Sequence, residues 1–289
     1  MESPGVTIRA TSQGAGHMDI HSRNNVHIVG EGATTLVLAH GFGCDQTMWR
    51  LLVSELESKY RIVLFDYVGC GQSDLSQYDA DRYASLQGYA EDLVEVAGVA
   101  GPGPLVVVGH SVSAMIALLA DQKVPGLFDA HVMIGPSPSY INEGSYVGGF
   151  HRADIDELLA TLEGNYLGWA SGMAPAIMGN PDRPELSDEL TNSFCRTDPD
   201  IAARFARATF LSNNLADLPK LAAPTLVLQS TDDFIAPISV GEHVRRSVQR
   251  GTLRLIENTG HCPHLSAPKA CAREIDAFLD SLRLRAAAA

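Results

Sequence analysis

Short aliphatic and β-branched runs alternate with longer amphipathic stretches along most of the chain, beginning near residue 26. This alternation is typical of parallel strands joined by crossover helices, and several runs are apolar throughout, as expected for strands covered on both faces. The pattern therefore predicts an α/β fold with a mostly parallel sheet flanked by helices. The predicted strands are residues 26–29, 35–39, 61–65, 105–109, 131–134, 225–229 and 253–257. The predicted helices are residues 46–57, 86–99, 112–122, 240–248 and 269–283.

The alternation stops between residues 137 and 212, where no strand-like run occurs. Apolar residues recur there at helical spacing, as in Ile155, Leu159 and Leu162. Because the sheet pattern resumes at Thr225, we expect this segment to be all helix and to form a cap inserted into the α/β core. A separate domain is the alternative, but neither flank has a linker rich in Gly, Ser or Pro.

These boundaries divide the chain into a core and an insertion. The core is predicted to comprise residues 19–136 and 213–285, with the cap between them. Residues 1–18 are polar and irregular, and we interpret this arm as a leader or an artefact of recombinant expression. The terminal alanine run 286–289 is excluded from the fold for the same reason.

Composition and charge exclude several classes of protein. The 289 residues are 45% hydrophobic and 19% charged, so the chain can bury a large core and is not mainly disordered. Its formal net charge of −13 repels phosphate backbones and anionic headgroups, so we expect neither nucleic acid nor membrane as a partner. No apolar run approaches the roughly 20 residues that cross a bilayer, and no signal peptide is evident, so we expect a cytoplasmic protein. The five scattered cysteines indicate neither a disulfide framework nor a zinc site.

The strongest local signal is a predicted strand that runs directly into a small-residue turn, Gly109-His-Ser111-Val-Ser113. In a nucleophile elbow the serine takes strained backbone angles that expose its hydroxyl, so the residues two before and two after it must be small. Gly109 meets this demand, and Ser113 stands where a second glycine is usual. The motif predicts Ser111 as a nucleophile, which needs an adjacent base that a carboxylate orients.

Two later strand ends supply candidate partners in the order serine, aspartate, histidine. The predicted strand 225–229 is followed by Asp232 and Asp233, and the last predicted strand is followed by His261. Because parallel strands end at one edge of the sheet, where such sheets bind ligands, we expect His261 to lie beside Ser111. Only one of the two aspartates can accept from the imidazole. We favour Asp233, with Asp232 as the alternative.

A tetrahedral intermediate also needs two amide donors for its oxyanion. Val112, which follows the candidate nucleophile, supplies the first. The second is expected in His40-Gly-Phe42-Gly43, after the predicted strand 35–39, because its glycines let the backbone turn its amides inward. Phe42 is the candidate donor, and a simple tight turn is the alternative interpretation of this motif.

Two further motifs could suggest a cofactor or a metal. The segment 66–74 has glycines after a predicted strand, but it lacks the third glycine and the strand–helix entry of a dinucleotide site, so we interpret it as a structural turn. His261 and His264 flank Cys-Pro, but the proline in the spacer and the missing third ligand disfavour a metal site. We therefore expect no metal and no cofactor.

With these residues placed, the chain resembles the α/β-hydrolases, and among them the bacterial RsbQ-like stress-response hydrolases. The resemblance extends from about residue 25 to 282 and includes Gly-Phe-Gly-Cys-Asp-Gln at 41–46, Gly-Pro-Ser-Pro at 135–138 and Gly-His-Cys-Pro-His at 260–264. Plant strigolactone and karrikin receptors are similar but more distant, and Gly-His-Ser-Val-Ser-Ala-Met is the form that they show. The RsbQ-like pattern has glycine at position 113, where this chain has serine.

The resemblance implies the α/β-hydrolase fold and a Ser–Asp–His hydrolase with a four-helix cap over a small apolar pocket. It also selects Asp233 over Asp232. In the RsbQ-like family the hydrolase is thought to process or sense a small hydrophobic molecule and to signal to a protein partner, a PAS-domain phosphatase. It therefore implies a role in stress or small-molecule signalling.

Residues in the loops and the cap are candidate walls of a substrate pocket above Ser111: Phe42, His110, Phe150, Trp169 and Phe210. A mostly apolar site suits a small neutral ester or lactone, and the negative charge disfavours a large anionic substrate. The main hypothesis is a cofactor-independent serine hydrolase acting on such a substrate. The alternatives are a ligand-sensing signalling module with incidental hydrolysis, and a general carboxylesterase or perhydrolase of the same fold.

Overall fold

The structure is a computed structural model, and it describes residues 19–282. The N-terminal arm 1–18, the last predicted residue of the final helix and the terminal run 286–289 lie outside the described residues. Within the described part of the chain, no helix combines the length and the apolar character needed to cross a membrane.

A seven-stranded sheet forms the centre of the described chain. Its strands are β1 (His27–Val29), β2 (Thr35–Ala39), β3 (Arg61–Leu64), β4 (Leu105–His110), β5 (Ala130–Ile134), β6 (Thr225–Asp232) and β7 (Gly251–Thr259). The strand order is β1-β3-β2-β4-β5-β6-β7. β1 pairs antiparallel with β3, whereas every other neighbouring pair is parallel. The predicted α/β fold with a mostly parallel sheet is therefore confirmed.

Helices connect the strands and cover the sheet. The α-helices of the described residues are α1 (Ile20–Arg23), α2 (Arg50–Leu56), α3 (Leu86–Ala97), α4 (Val112–Lys123), α5 (Arg152–Gly164), α6 (Tyr166–Met178), α7 (Pro184–Arg196), α8 (Pro199–Phe210), α9 (Ile238–Ser247), α10 (Pro263–Ser266) and α11 (Pro268–Leu282). The five helices predicted outside the insertion correspond to α2 with the preceding 3₁₀ turn Gln46–Trp49, and to α3, α4, α9 and α11.

The two faces of the sheet are covered by separate hydrophobic cores. α3 and α4 pack on one face, where Leu93 and Met115 are fully buried. α2 and α11 pack on the other face, where Leu52 and Ile275 are fully buried. Because both faces are covered, all five residues of β5 are buried, and this explains why the central strands are apolar runs instead of alternating ones.

Four helices, α5 to α8, lie between β5 and β6, and we refer to them as the inserted helices. They form a third hydrophobic cluster with the loop that follows β2. The expectation that residues 137–212 are all helix is wrong for residues 137–151, which form isolated β-bridges such as that between Ser139 and Asn213. Prolines and glycines prevent a helix there, and a side chain at Gly148 would lie only 2.6 Å from the carbonyl oxygen of Ser139.

Candidate active site

Ser111 occupies the turn between β4 and α4. Its φ of 56° and ψ of −124° place it in the left-handed half of the backbone map, a conformation that costs about 1–3 kcal/mol for a residue with a side chain. The turn is held by a hydrogen bond that the Ser111 amide donates to the carbonyl of Ile134 at 2.8 Å. A side chain at Gly109 would lie 2.6 Å from the Ser113 carbonyl oxygen, so this position requires glycine. The geometry is that of the strained elbow predicted from the sequence.

Three side chains from separate strand ends form a continuous hydrogen-bonded chain, the Ser111–His261–Asp233 relay. The Ser111 hydroxyl donates to His261 Nε2 at 2.8 Å, and His261 Nδ1 donates to Asp233 Oδ2 at 2.7 Å. All three side chains are buried. The structure thus brings together the three residues that the sequence selected, and their catalytic roles stay a prediction.

The second carboxylate oxygen of Asp233 determines how this side chain is oriented. Asp233 Oδ1 accepts hydrogen bonds from the amides of Ile235 at 2.9 Å and Ala236 at 3.1 Å. These contacts turn the other oxygen toward His261. Asp232 is exposed at the end of β6, so the geometry favours Asp233 as the residue that orients the imidazole.

The two candidate oxyanion donors belong to segments that adjoin Ser111. Val112 is the first residue of α4, so its amide is one of the free donors at a helix N-terminus. Phe42 follows Gly41, which packs on the nucleophile: a Cβ there would lie 3.3 Å from Ser111 Cβ. Neither the Phe42 nor the Val112 amide donates a hydrogen bond to another part of the described chain. Both amides are therefore available to a ligand, as the oxyanion hypothesis requires.

Ser113, where the family pattern has glycine, belongs to a buried network behind these donors. Its hydroxyl donates to the His40 carbonyl and lies 3.2 Å from the Tyr67 hydroxyl. The Tyr67 amide donates to His40 Nε2 at 3.2 Å, so His40 Nδ1 carries the proton and donates to the Gly41 carbonyl at 2.9 Å. The network ties the start of α4 to the peptide that precedes the Phe42 amide.

A largely apolar cavity opens above the Ser111 hydroxyl. Four of the five predicted pocket residues line it, namely Phe42, His110, Trp169 and Phe210. Phe150 does not line the cavity, and this prediction is corrected. Its backbone amide instead donates to the Tyr140 carbonyl at 3.1 Å, so Phe150 helps to hold Tyr140, which does line the cavity.

Sequence reasoning missed Tyr140, whose hydroxyl lies 3.3 Å from Ser111 Oγ. Burial raises the pKa of Tyr140, so its hydroxyl stays protonated and presents a neutral polar group to the nucleophile. No sequence motif around Tyr140 indicated a role in the site, because this residue lies in the irregular segment 137–151, which was expected to be helical. Phe194, from α7, was also missed as a wall of the cavity.

His110, Cys262 and His264 form a buried cluster behind the imidazole of the relay. One ligand atom of each lies within 4.8 Å of the others, so His110 joins two residues of the His-Cys-Pro-His motif, although not the pair His261 and His264 considered in the sequence. Burial raises the pKa of the Cys262 thiol well above its usual value and lowers the pKa of both imidazoles. The cluster is therefore a protonated thiol with two neutral rings, and His110 Nε2 donates to the His261 carbonyl at 2.9 Å.

The segment after β3 is a structural turn, as interpreted from the sequence. Asp66 accepts hydrogen bonds from the amides of Gln46 at 2.8 Å and Gln72 at 2.9 Å, and from the Asn25 side chain at 2.8 Å. Its carboxylate is thus committed to joining three loops and does not face the cavity.

The similarity of this chain to known proteins covers both the sheet and the inserted helices. Residues 36–274 match the alpha/beta hydrolase family. A karrikin insensitive 2 receptor of Petunia hybrida is 36% identical over 250 residues, covering 86% of this chain and 93% of that protein. A strigolactone esterase of Arabidopsis thaliana is 37% identical over 245 residues, covering 84% and 91% respectively. The solved structure of a hydrolase from Oleispira antarctica has 41% identity and a TM-score of 0.87, covering 91% of this chain and 96% of that one.

Proposed function

The chain belongs to the alpha/beta hydrolase family, and we propose that it is a serine hydrolase that cleaves small hydrophobic esters or lactones. The resemblance to this family and to plant strigolactone and karrikin receptors is confirmed. One observation carries the proposal: the Ser111–His261–Asp233 relay, with distances of 2.8 and 2.7 Å, opens onto an apolar cavity.

In the proposed reaction, His261 Nε2 takes the proton of Ser111 as the serine oxygen attacks the carbonyl carbon. The Phe42 and Val112 amides then stabilise the oxyanion of the tetrahedral intermediate. His261 gives the proton to the departing alkoxide, which leaves as the alcohol, and the acyl group stays on Ser111. A water molecule, deprotonated by His261, releases the acid in a second step. Asp233 holds the imidazole in the required tautomer, and the route needs no cofactor.

The cavity supports a small neutral substrate. Most of its lining residues are apolar or aromatic, as is usual for a site that binds a small molecule. Among the described residues that line it, none is Arg, Lys, Asp or Glu, so a charged substrate would lose its hydration without gaining an ion pair. Tyr140, whose hydroxyl faces Ser111, is the polar group best placed to orient an ester or lactone oxygen.

Labelling with an alkyl fluorophosphonate tests the proposal. Ser111 Oγ is expected to displace fluoride, so that one phosphonyl group per chain is found by mass spectrometry on the peptide containing Ser111. Hydrolysis of p-nitrophenyl butyrate should fall in proportion to the labelled fraction, because the same oxygen performs both reactions. A label on another residue, or a folded protein that resists the reagent, would contradict the assignment of the nucleophile.

A second candidate function is ligand sensing, which the 36% identity to a karrikin insensitive receptor favours. In the RsbQ-like form of this hypothesis the protein acts in the cytoplasm, in stress or small-molecule signalling, and passes its signal to a PAS-domain phosphatase. The inserted helices would then act as a cap that rearranges around the ligand. A general carboxylesterase is the remaining alternative, and broad activity on unrelated esters would favour it.

Thermal shift in the wild type and in Ser111→Ala separates sensing from turnover. With γ-lactones of increasing alkyl length as probes, a sensor is expected to show the same rise in melting temperature in both proteins, because binding does not need the hydroxyl. A hydrolase without a sensing role should show a stable shift only in Ser111→Ala, which cannot consume the ligand. Product analysis by mass spectrometry on the same samples shows whether cleavage occurred.

A further inference from the structure

The loop of residues 41–45, which we call the oxyanion loop because it carries the Phe42 amide, contacts one of the inserted helices directly. Ser193 on α7 donates a hydrogen bond from its hydroxyl to the Gly43 carbonyl at 2.9 Å. One turn further along α7, Arg196 Nη2 lies 2.7 Å from Asp45 Oδ2. The two contacts hold the loop on the carboxyl side of the Phe42 amide.

The oxyanion loop and α7 are in close van der Waals contact at Gly43. Gly43 has a φ of +70°, and a Cβ at this position would lie within 1.9 Å of the Phe194 ring. The ring therefore rests on the glycine backbone, and its centroid lies 6.0 Å from that of the Phe42 ring. A displacement of α7 would remove the surface against which the loop is packed.

The hydrogen bond from Ser193 matters because its acceptor is buried. The Ser193 hydroxyl is the partner that the described residues provide for the Gly43 carbonyl, and both residues are buried. A buried carbonyl that loses its partner is costly, so the loop would shift to find a new one. Such a shift would rotate the adjoining peptides, including the one that presents the Phe42 amide.

We propose that α7, through Ser193 and Arg196, positions the oxyanion loop, so that hydrolysis requires this helix to be seated on the loop. The inference rests on the proposed function, since it concerns the same oxyanion site. Neither side chain lines the cavity, so both are positioning residues that act through the Phe42 amide. The relay side chains sit at the ends of core strands, so a movement of α7 would impair the oxyanion site while the relay stayed intact.

The same helix offers matched controls. Arg50 on α2 makes a bidentate ion pair with Glu189 on α7, at 2.9 and 2.6 Å, without touching the oxyanion loop. Thr191 is a further control, since its hydroxyl bonds the Ser187 carbonyl within α7 itself. Substitutions at Glu189 and Thr191 therefore each remove one polar contact of α7 but leave its contacts with the oxyanion loop, through Ser193, Phe194 and Arg196, in place, so the helix is expected to stay seated.

The experiment compares Ser193→Ala and Arg196→Gln with Thr191→Ala and Glu189→Gln. For p-nitrophenyl butyrate, each of the first two is expected to lower kcat about tenfold with KM within about twofold of wild type, since misplacing an oxyanion donor weakens only transition-state binding. The affinity for butylboronic acid, whose tetrahedral adduct with Ser111 places an oxygen in the same site, should fall by a similar factor. The two controls should stay within about twofold of wild type on both measurements.

Wild-type kcat and boronate affinity in both loop variants would overturn the inference, as would an equal loss in the two controls. Arg196 is half exposed, so Arg196→Gln keeps the test valid if Ser193→Ala fails to fold. Failure of the proposed function is a different result, namely a wild type without turnover that depends on Ser111. In that case the boronate affinities, measured by calorimetry, still report on the loop.

Discussion

Ser111→Ala is expected to abolish turnover of a short p-nitrophenyl ester while the fold remains intact. The loss should be at least about 10⁴-fold in kcat, because removing the nucleophile leaves only the oxyanion site and binding to assist direct attack by water. Stability should hardly change, since the hydroxyl contacts only His261 and Tyr140 among the described residues. The measurement is kcat above the uncatalysed rate, together with circular dichroism and the melting temperature.

Ser54→Ala is a suitable control for this variant, because Ser54 is an exposed serine on α2 that bonds only a carbonyl of its own helix. It should keep the activity of the wild type. Turnover of more than about a tenth of the wild-type rate in a well-folded Ser111→Ala would show that another group performs the attack. The relay would then be a structural network, and the proposed mechanism would have to be abandoned.

The second large effect is a loss of folding stability in acid, which we expect because several histidines are buried. Burial lowers the pKa of His131 and of His264 to about 3, and it lowers the pKa of His110 well below its usual value. In the unfolded chain these groups titrate near 6.5. Between about pH 6.5 and pH 3 the unfolded state therefore binds protons that the folded state does not, so stability is full above 6.5 and is lost as the pH falls.

The expected loss in the free energy of unfolding depends on how far the pH lies below 6.5, the pKa of histidine in the unfolded chain. At pH 5 His131 and His264 each contribute a loss of about 2 kcal/mol, so the two together approach about 4 kcal/mol, a large part of the stability of an ordinary domain. His110 adds to the loss in the same direction. Urea unfolding at pH 7.5 and pH 5.0 measures the difference in the free energy of unfolding. Equal values at the two pH values would show that the buried rings find proton acceptors or solvent.

His131→Leu identifies one of the groups responsible. Neither ring nitrogen of His131 has a hydrogen-bond partner among the described residues, and the ring packs edge-on against Phe128 at 5.5 Å. Leucine has a similar volume without the two unpaired polar atoms, so stability at pH 7.5 should be equal or higher. The loss between pH 7.5 and 5.0 should shrink by about 2 kcal/mol. A variant with the full wild-type pH dependence would exclude His131 as a contributor.

The fold and the relay could be predicted because their signals are local. A parallel strand covered on both faces must be an apolar run, so β4 and β5 are visible in the sequence without any knowledge of their neighbours. Ser111 follows β4 and His261 follows the edge strand β7, and parallel strands end at one edge of the sheet. The choice between Asp232 and Asp233 was harder, because only the amides of residues 235 and 236 decide which carboxylate is turned inward.

The remaining parts of the site depend on contacts between distant segments. Tyr140 reaches Ser111 because an irregular segment crosses the sheet edge, and helical periodicity further along the chain obscured that segment. His110 completes a cluster with two residues about 150 positions later, a proximity that no spacing rule reveals. The contact between Ser193 and Gly43 is also 150 positions apart, and a single serine on an amphipathic helix carries no signal of it.

The long separation between the members of the relay has a consequence for biosynthesis. Ser111 and His261 are 150 residues apart in sequence, and the inserted helices are made between them. On the ribosome, β4 and its elbow emerge well before the strand that delivers the imidazole, so the nascent chain must keep a mostly apolar strand from aggregating during that interval. Parallel pairing across so many residues also folds slowly, since loop-closure entropy is lost before the contacts form. Until β7 docks, Ser111 lacks the imidazole that is proposed to activate it, so a chain in which β7 has not yet docked is expected to be unreactive toward esters.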